Sequence, residues 1–252
     1  MQLLSDPFVV MMALLAVLIL GLAKGGFSGL GALATPVLAL ALAPTRAAAL
    51  LLPVLLVQDV VSVWSFRKTW DRWIVARMLP GAAIGVGLAA WFAASVDESQ
   101  VMLLLGSITL SFGLYRLWLG RGGRLIAASD SPGWIGTLFG IATGFTSQIA
   151  HAGGPPFQMW VTPRRLPHQI FVGTSSITFA AINWMKVPSF ILLGSFDRQV
   201  LIASALLMPF AIVSTLVAVA LIRRLDSMRF YSLIYALMIL LGAKLVWDGL
   251  SA

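Results

Sequence analysis

The 252-residue chain contains no cysteine, one glutamate (Glu98) and two histidines, His151 and His168. Without cysteine there is no disulfide framework and no thiolate metal site. Paired carboxylates are missing, as are HExxH, GxSxG and GxxxxGK[ST] motifs, so no catalytic constellation or ATP-driven pump is readable. The expectation is a protein that is not an enzyme and needs neither cofactor nor metal. Charge of either sign is scarce, at 10% of residues. Short alternating segments of the outer-membrane barrel type are absent too.

What remains is hydrocarbon: 60% of residues are hydrophobic and the mean hydropathy is +0.96. No soluble core of this length hides so much apolar side chain. Uncharged runs of helix-spanning length recur from end to end, which predicts an all-α integral membrane protein. The start, MQLLSDPFVVMMALLAVLIL, has no basic flank or small-residue cleavage site before Lys24, and reads as a first membrane helix rather than a removed signal peptide. The net charge of +8 then reads as basic loops that set orientation, not as a nucleic-acid surface.

Ten apolar segments can be marked, at about 7–23, 27–43, 47–66, 73–95, 99–117, 133–150, 153–163, 168–186, 199–222 and 230–249. The longest polar connection divides the chain into a first repeat (1–120), a linker (121–132) and a second repeat (133–252). Twelve of the 17 basic residues fall in four clusters: Arg67/Lys68/Arg72/Arg77, Arg116/Arg121/Arg124, Arg164/Arg165 and Arg223/Arg224/Arg229. The connections at Asp97–Glu98 and Asp197 carry only Arg198. The positive-inside rule places the clusters in the cytoplasm and both termini on the outer face. Segment parity agrees, so the two five-segment halves run in opposite directions.

An internal repeat supports this inversion. Shifted by 119 residues, Gly21, Gly25, Ser28, Pro36, Pro44 and Arg46 fall without a gap on Gly140, Gly144, Ser147, Pro155, Pro163 and Arg165. The same frame carries Arg67 onto Lys186. Each half opens with a glycine-rich break, LAKGGFSGLGALATP and TGFTSQIAHAGGPP, tolerated at membrane depth only where it is buried in protein or faces water. Such a break exposes half-helix N–H groups that favour an anion. Thr35-Pro36 and Gly154-Pro155 each read as an N-cap followed by a first-turn proline. Whether segments 27–43 and 153–163 cross fully or re-enter stays open.

Ionisable groups within apolar spans come next, because each is expensive unless paired or functional. Lys24 lies at the first break, His151 at the second and Asp59 deep in the third segment, and the three form either a charge-compensated cluster, a proton relay, or a static Lys24–Asp59 pair. Lys186 in NWMKVP reads as close to the outer surface, within snorkelling reach of it. Lys244 and Asp248 are spaced as an i,i+4 pair. Thr174, Ser175 and Asn183 interrupt an apolar helix, with Ser175 and Asn183 on roughly one face. The candidate substrate-binding set is Gly25, Gly26, Ser28, Thr35, Gln58, Ser147, His151, Gly153, Gly154, Thr174, Ser175 and Asn183. Lys24, Asp59, His151 and Lys186 are the candidates for coupling or charge compensation.

The run GFTSQIAHAGGPP…TPRRLP…FVGTSSITF…NWMKVP…LGSFD, with the glycine-rich opening before Pro36, resembles the sulfite exporter TauE/SafE family of membrane proteins. The resemblance is most specific over 140–197. In the first half, Gln58 and Asp59 stand where a second GTS-like triplet is expected. It implies two inverted halves that export a small sulfur-containing anion, such as sulfite, thiosulfate or sulfoacetate, across a bacterial inner membrane. A small carboxylate exporter and a passive anion channel are the alternatives. The expected partners are a small anion and the lipid bilayer, with no nucleic acid. A homodimer is left open, since no interfacial motif stands out from the many small residues.

Overall fold

A computed structural model of the chain describes residues 5–26, 29–93, 95–120, 131–221 and 228–251. Ser28, linker residues 121–130 and the basic residues Arg121, Arg124, Arg223 and Arg224 lie outside the described residues. The described chain is helical throughout. Its helices are α1 (Pro7–Lys24), α2 (Ala34–Leu38), α3 (Pro44–Phe66), α4 (Arg72–Ala93), α5 (Glu98–Gly120), α6 (Gly133–Ala150), α7 (Gly154–Val161), α8 (His168–Leu192), α9 (Arg198–Leu221) and α10 (Met228–Ser251). A 3-10 turn, Leu30–Leu33, precedes α2, and another, Thr162–Arg164, follows α7. Each half is thus one long helix, one short helix and three long helices.

The few acidic residues mostly start these helices. Asp6 accepts from the Phe8 amide, Asp71 from Ile74, Asp97 from Gln100 and Asp197 from Val200. Each satisfies an orphan first-turn N–H and places negative charge at the positive dipole end. Asp248 pairs with Lys244 on the last helix, as their spacing predicts. Among the described residues only Asp59 is an acid in the interior, at 2% exposure.

Small residues set how closely the helices approach. An ideal Cβ on Gly81 would lie 1.9 Å from the Thr137 carbonyl oxygen, and one on Gly85 2.0 Å from that of Ile141. From the other side, Gly140 and Gly144 meet the carbonyls of Met78 and Ala82 at 2.3 and 2.1 Å. The α4 and α6 backbones therefore touch, as membrane helices do when dispersion and polar contacts, not water exclusion, hold them. Gly21 and Gly25 serve α1 in the same way against Ser214 and Ala218 of α9.

These contacts also fix directions. α1 runs parallel to α9, and α4 parallel to α6. α3 and α8 are antiparallel, with Ser62 against Ser176 and Asp59 against Asn183. α5 and α10 are antiparallel too, with Gly106 beside Val246 and Gly113 beside Ile239.

Five of the described helices (α1, α3, α4, α5 and α9) are long and apolar enough to cross a membrane. Trp91, Leu192, Leu206, Leu240 and Trp247 are each more than 60% exposed, a distribution that requires hydrocarbon as solvent. The chain is a multi-pass membrane protein.

Candidate functional site

Both breaks interrupt the bundle interior. At the first, Gly26 (φ 113°) and Gly29 (φ 97°) adopt left-handed backbone that a side chain would strain. At the second, His151 itself is left-handed (φ 53°) and caps α6, its amide bonding to the Ser147 carbonyl. A non-glycine residue in this conformation must be held by its surroundings, and the imidazole is. Nε2 lies 2.8 Å from the Ala48 carbonyl, which only accepts, so Nε2 carries the proton. Nδ1 then accepts from Lys186 Nζ at 2.6 Å. The Ser147 carbonyl and hydroxyl, at 3.2 and 3.3 Å, complete three acceptors around Nζ, as many as an ammonium serves.

The second polar set starts at the end of α1. Lys24 pairs with Asp59 Oδ1, while Asp59 Oδ2 accepts from Asn183 Nδ2 at 2.6 Å. A carboxylate this deep is tolerated because both oxygens are occupied by donors. The two sets form part of the wall of a cavity of about 80 Å³, lined from both halves of the chain. Lys24, Gly26, Gly29 and Gly31 contribute from the first break, Ser147, His151, Gly154 and Gln158 from the second, and Ser175, Ser176 and Asn183 from α8. A space that admits several waters is large enough for a small anion.

The predicted set divides on this geometry. The structure brings Lys24, Gly26, Ser147, His151, Gly154, Ser175 and Asn183 to the cavity wall, and Asp59 and Lys186 are bonded to wall residues without lining it themselves. Gly25 packs α1 on α9, where a Cβ would meet Ala218 at 2.5 Å. Gln58 Nε2 bonds the Val17 and Ala211 carbonyls and so ties α3 to α1 and α9. Thr174 bonds the Ile170 carbonyl and accepts the Asp71 amide at the start of α4. Gly153 packs against Thr143 and Phe179. Thr35 is buried within α2, its hydroxyl without a partner among the described residues.

Three sequence expectations change. Lys186 does not snorkel to a surface: it is 0% exposed and bonded to Ser147 and His151, and α8 continues to Leu192, six residues past the segment end read from sequence. The 119-residue frame fits the packing glycines, yet the paired side chains follow a different one. Lys24–Asp59 and His151–Lys186 each span 35 residues and are offset from one another by 127. α1 stops at Lys24, whereas α6 runs eight residues past the frame's equivalent position to its cap, His151. Nor does Thr35 cap α2: the 3-10 turn leads directly into that helix, and Thr35-Pro36 sit inside it. At α7, Gly153 is the N-cap, and Pro155 and Pro156 remove two first-turn amides.

The family model for sulfite exporter TauE/SafE matches residues 13–245. The chain belongs to that family. No curated protein and no solved structure matches it. Members of the TauE/SafE family are membrane transporters, and the polar groups gathered around an interior cavity suit that class.

Two residues of this TauE/SafE chain that sequence reading passed over are part of the wall. Ser176 lines the cavity and accepts from Ser62 at 2.6 Å. Gln158 lines it too and accepts from Arg116 Nη1 at 2.9 Å. The sign for Gln158 was an amide one turn past Gly154 in an apolar segment. For Arg116 there was none, since in sequence it belongs to a cytoplasmic basic cluster.

Proposed function

We propose that the chain exports a small sulfur oxyanion or sulfonate, such as sulfite, thiosulfate or sulfoacetate, across a bacterial inner membrane. Binding falls at the cavity between the two breaks. The observation that carries the reading is the charge at that cavity. Two lysines, Lys24 and Lys186, face one carboxylate, Asp59, and His151 is hydrogen-bonded as a neutral imidazole. With both lysines protonated, these groups carry more positive than negative charge in a low-dielectric interior, and an anion balances it. The sulfur chemistry rests on family membership.

The same reading includes alternating access by two inverted repeats, oriented with both termini outside. It is supported by helix direction: α3 opposes α8 and α5 opposes α10, as equivalent helices of inverted repeats must. It is supported also by packing that survives exchange of the halves, since α1 lies on α9 as α6 lies on α4. Each short helix packs beside the long helix before it, which supports a re-entrant course.

The test is thermal stabilisation of purified protein by sulfite, thiosulfate, sulfoacetate, taurine, sulfate and acetate, followed by flux in proteoliposomes. Stabilisation by a sulfur anion and saturable, competitively inhibited flux are expected. Stabilisation by acetate alone would make it a carboxylate exporter, and flux that does not saturate would make it a channel.

A further inference from the structure

The anion reading leaves the donors at the α7 side of the cavity unassigned. Helix starts normally offer a row of amides, but here Pro155 and Pro156 have none, and the Phe157 amide is spent on the Gly153 carbonyl. One turn on, Gln158 is 4% exposed and faces back over that proline start. Its direction is not free. The Arg116 guanidinium only donates, so the carboxamide oxygen must face Arg116 and the NH₂ must point the other way. Nε2 indeed lies between the two breaks, 3.6 Å from where a Cβ on Gly29 would stand and 3.7 Å from one on Gly154. It has no hydrogen-bond partner among the described residues, although the side chain is nine-tenths buried and lines the cavity.

Arg116 is itself fixed. Its Nε and Nη2 donate to the Tyr235 hydroxyl at 3.0 and 2.6 Å, and its guanidinium lies 5.0 Å from the Tyr235 ring centre. It forms no ion pair with a carboxylate among the described residues. A half-buried arginine without a counter-ion among the described residues, spent on an amide oxygen and a phenol, makes sense as an orienting group.

We propose that Gln158 supplies the anion-facing NH₂ donor of this cavity, replacing the amides the two prolines remove, and that Arg116 is the positioning residue that aims it. This rests on the anion-transport reading above and deepens it. The donor suits an oxyanion rim, with two N–H bonds available to one or two oxygens. It discriminates against cations and against the apolar end of a substrate. Glutamate at 158 keeps the shape and the bond to Arg116 while turning an oxygen to the cavity, which inverts the recognition.

The experiment titrates sulfite, thiosulfate, sulfoacetate and acetate against purified full-length protein by thermal shift, for wild type, Gln158→Glu, Gln158→Met, Arg116→Met and the Arg116→Met/Gln158→Met double variant. Gel filtration and the ligand-free melting temperature report folding, and two substitutions at 158 keep the test readable if one misfolds. Both Gln158 variants are expected to weaken binding of whichever anion the wild type takes by about tenfold or more, the share of a hydrogen bond to a charged group. Arg116→Met is expected to weaken it several-fold, with no further loss when Gln158 is already Met. Wild-type affinity in either folded Gln158 variant overturns the proposal, as do losses that simply add in the double variant. If the wild type binds acetate and no sulfur anion, the sulfur substrate fails and the same comparisons decide Gln158 with acetate. If it binds none of them, both readings fall.

Discussion

Lys186 donates from Nζ to Nδ1 of His151 across 2.6 Å, and the two are 35 residues apart in the chain. Lys24 reaches Asp59 across the same 35 residues. Each half therefore closes its break with one side chain from the cap region and one from the long helix after the short one. The chemistry differs between halves: an ion pair in the first, a lysine on an imidazole in the second. This asymmetry lies against the cavity wall, where a transporter for a charged substrate needs unequal charge.

Replacing Lys186 with Met removes one of the two lysines of the cavity set and leaves His151 Nδ1 and the Ser147 hydroxyl without their donor. Transport in proteoliposomes should fall at least tenfold while the protein remains monodisperse. Wild-type flux in this variant would remove the charge argument. Leaving a buried acceptor unsatisfied should also cost about 1–3 kcal/mol, read as a lower melting temperature.

Asp59→Asn strands Lys24, and Lys24→Met strands Asp59. Breaking a buried pair from one side costs about 3–5 kcal/mol, whereas removing both charges is close to neutral. The double variant Lys24→Met/Asp59→Asn should therefore melt above either single variant. Additive losses would mean that the pair does not act as one unit.

Gly81→Ala tests the α4–α6 contact. Its Cβ would arrive 1.9 Å from the Thr137 carbonyl oxygen, so the helices must separate. A loss on the order of 2 kcal/mol or more is expected from overpacking. Gly87→Ala is the control, since nothing lies within 4 Å of its Cβ position, and it should melt like wild type. Equal melting of the two variants would show that the helices are not in backbone contact.

The chain has no cysteine, so single cysteines report orientation directly. Trp70→Cys should be labelled only from the cytoplasmic side and Asp97→Cys only from the outside. Labelling of both from one side would reverse the topology.

Asp97 is held below the usual carboxylate pKa of 3.8, first by the Ser99 hydroxyl and then by the Gln100 amide. A group whose pKa is lowered by folding adds stability above its unfolded value, and that stability is lost as pH falls through the folded value. Asp97→Ala should thus lower the melting temperature at neutral pH, with the gap to wild type closing below about pH 4. A gap that persists in acid would assign the effect to something other than this cap.

Sequence alone determined the membrane class, the order of the segments and the two breaks, because helix-length apolar runs and Gly/Pro clusters are local signals. The pairing of Lys244 with Asp248 was legible for the same reason: one helix carries both. Tertiary structure decided which polar residues share a site. Gln58 and Asp59 are neighbours in sequence, yet successive helical residues point about 100° apart, so one ties α1 to α9 while the other meets Lys24 and Asn183. Lys186 is buried because Ser147 and His151 at the end of α6 meet it on α8, and no local signal marks that contact. The link from Arg116 to Gln158 joins helices 42 residues apart, which no spacing rule anticipates. In lipid, helix formation is dictated locally, because each backbone must satisfy its own hydrogen bonds. Which faces then meet depends on glycine contacts and buried polar pairs between distant segments, and those exist only once the bundle is assembled.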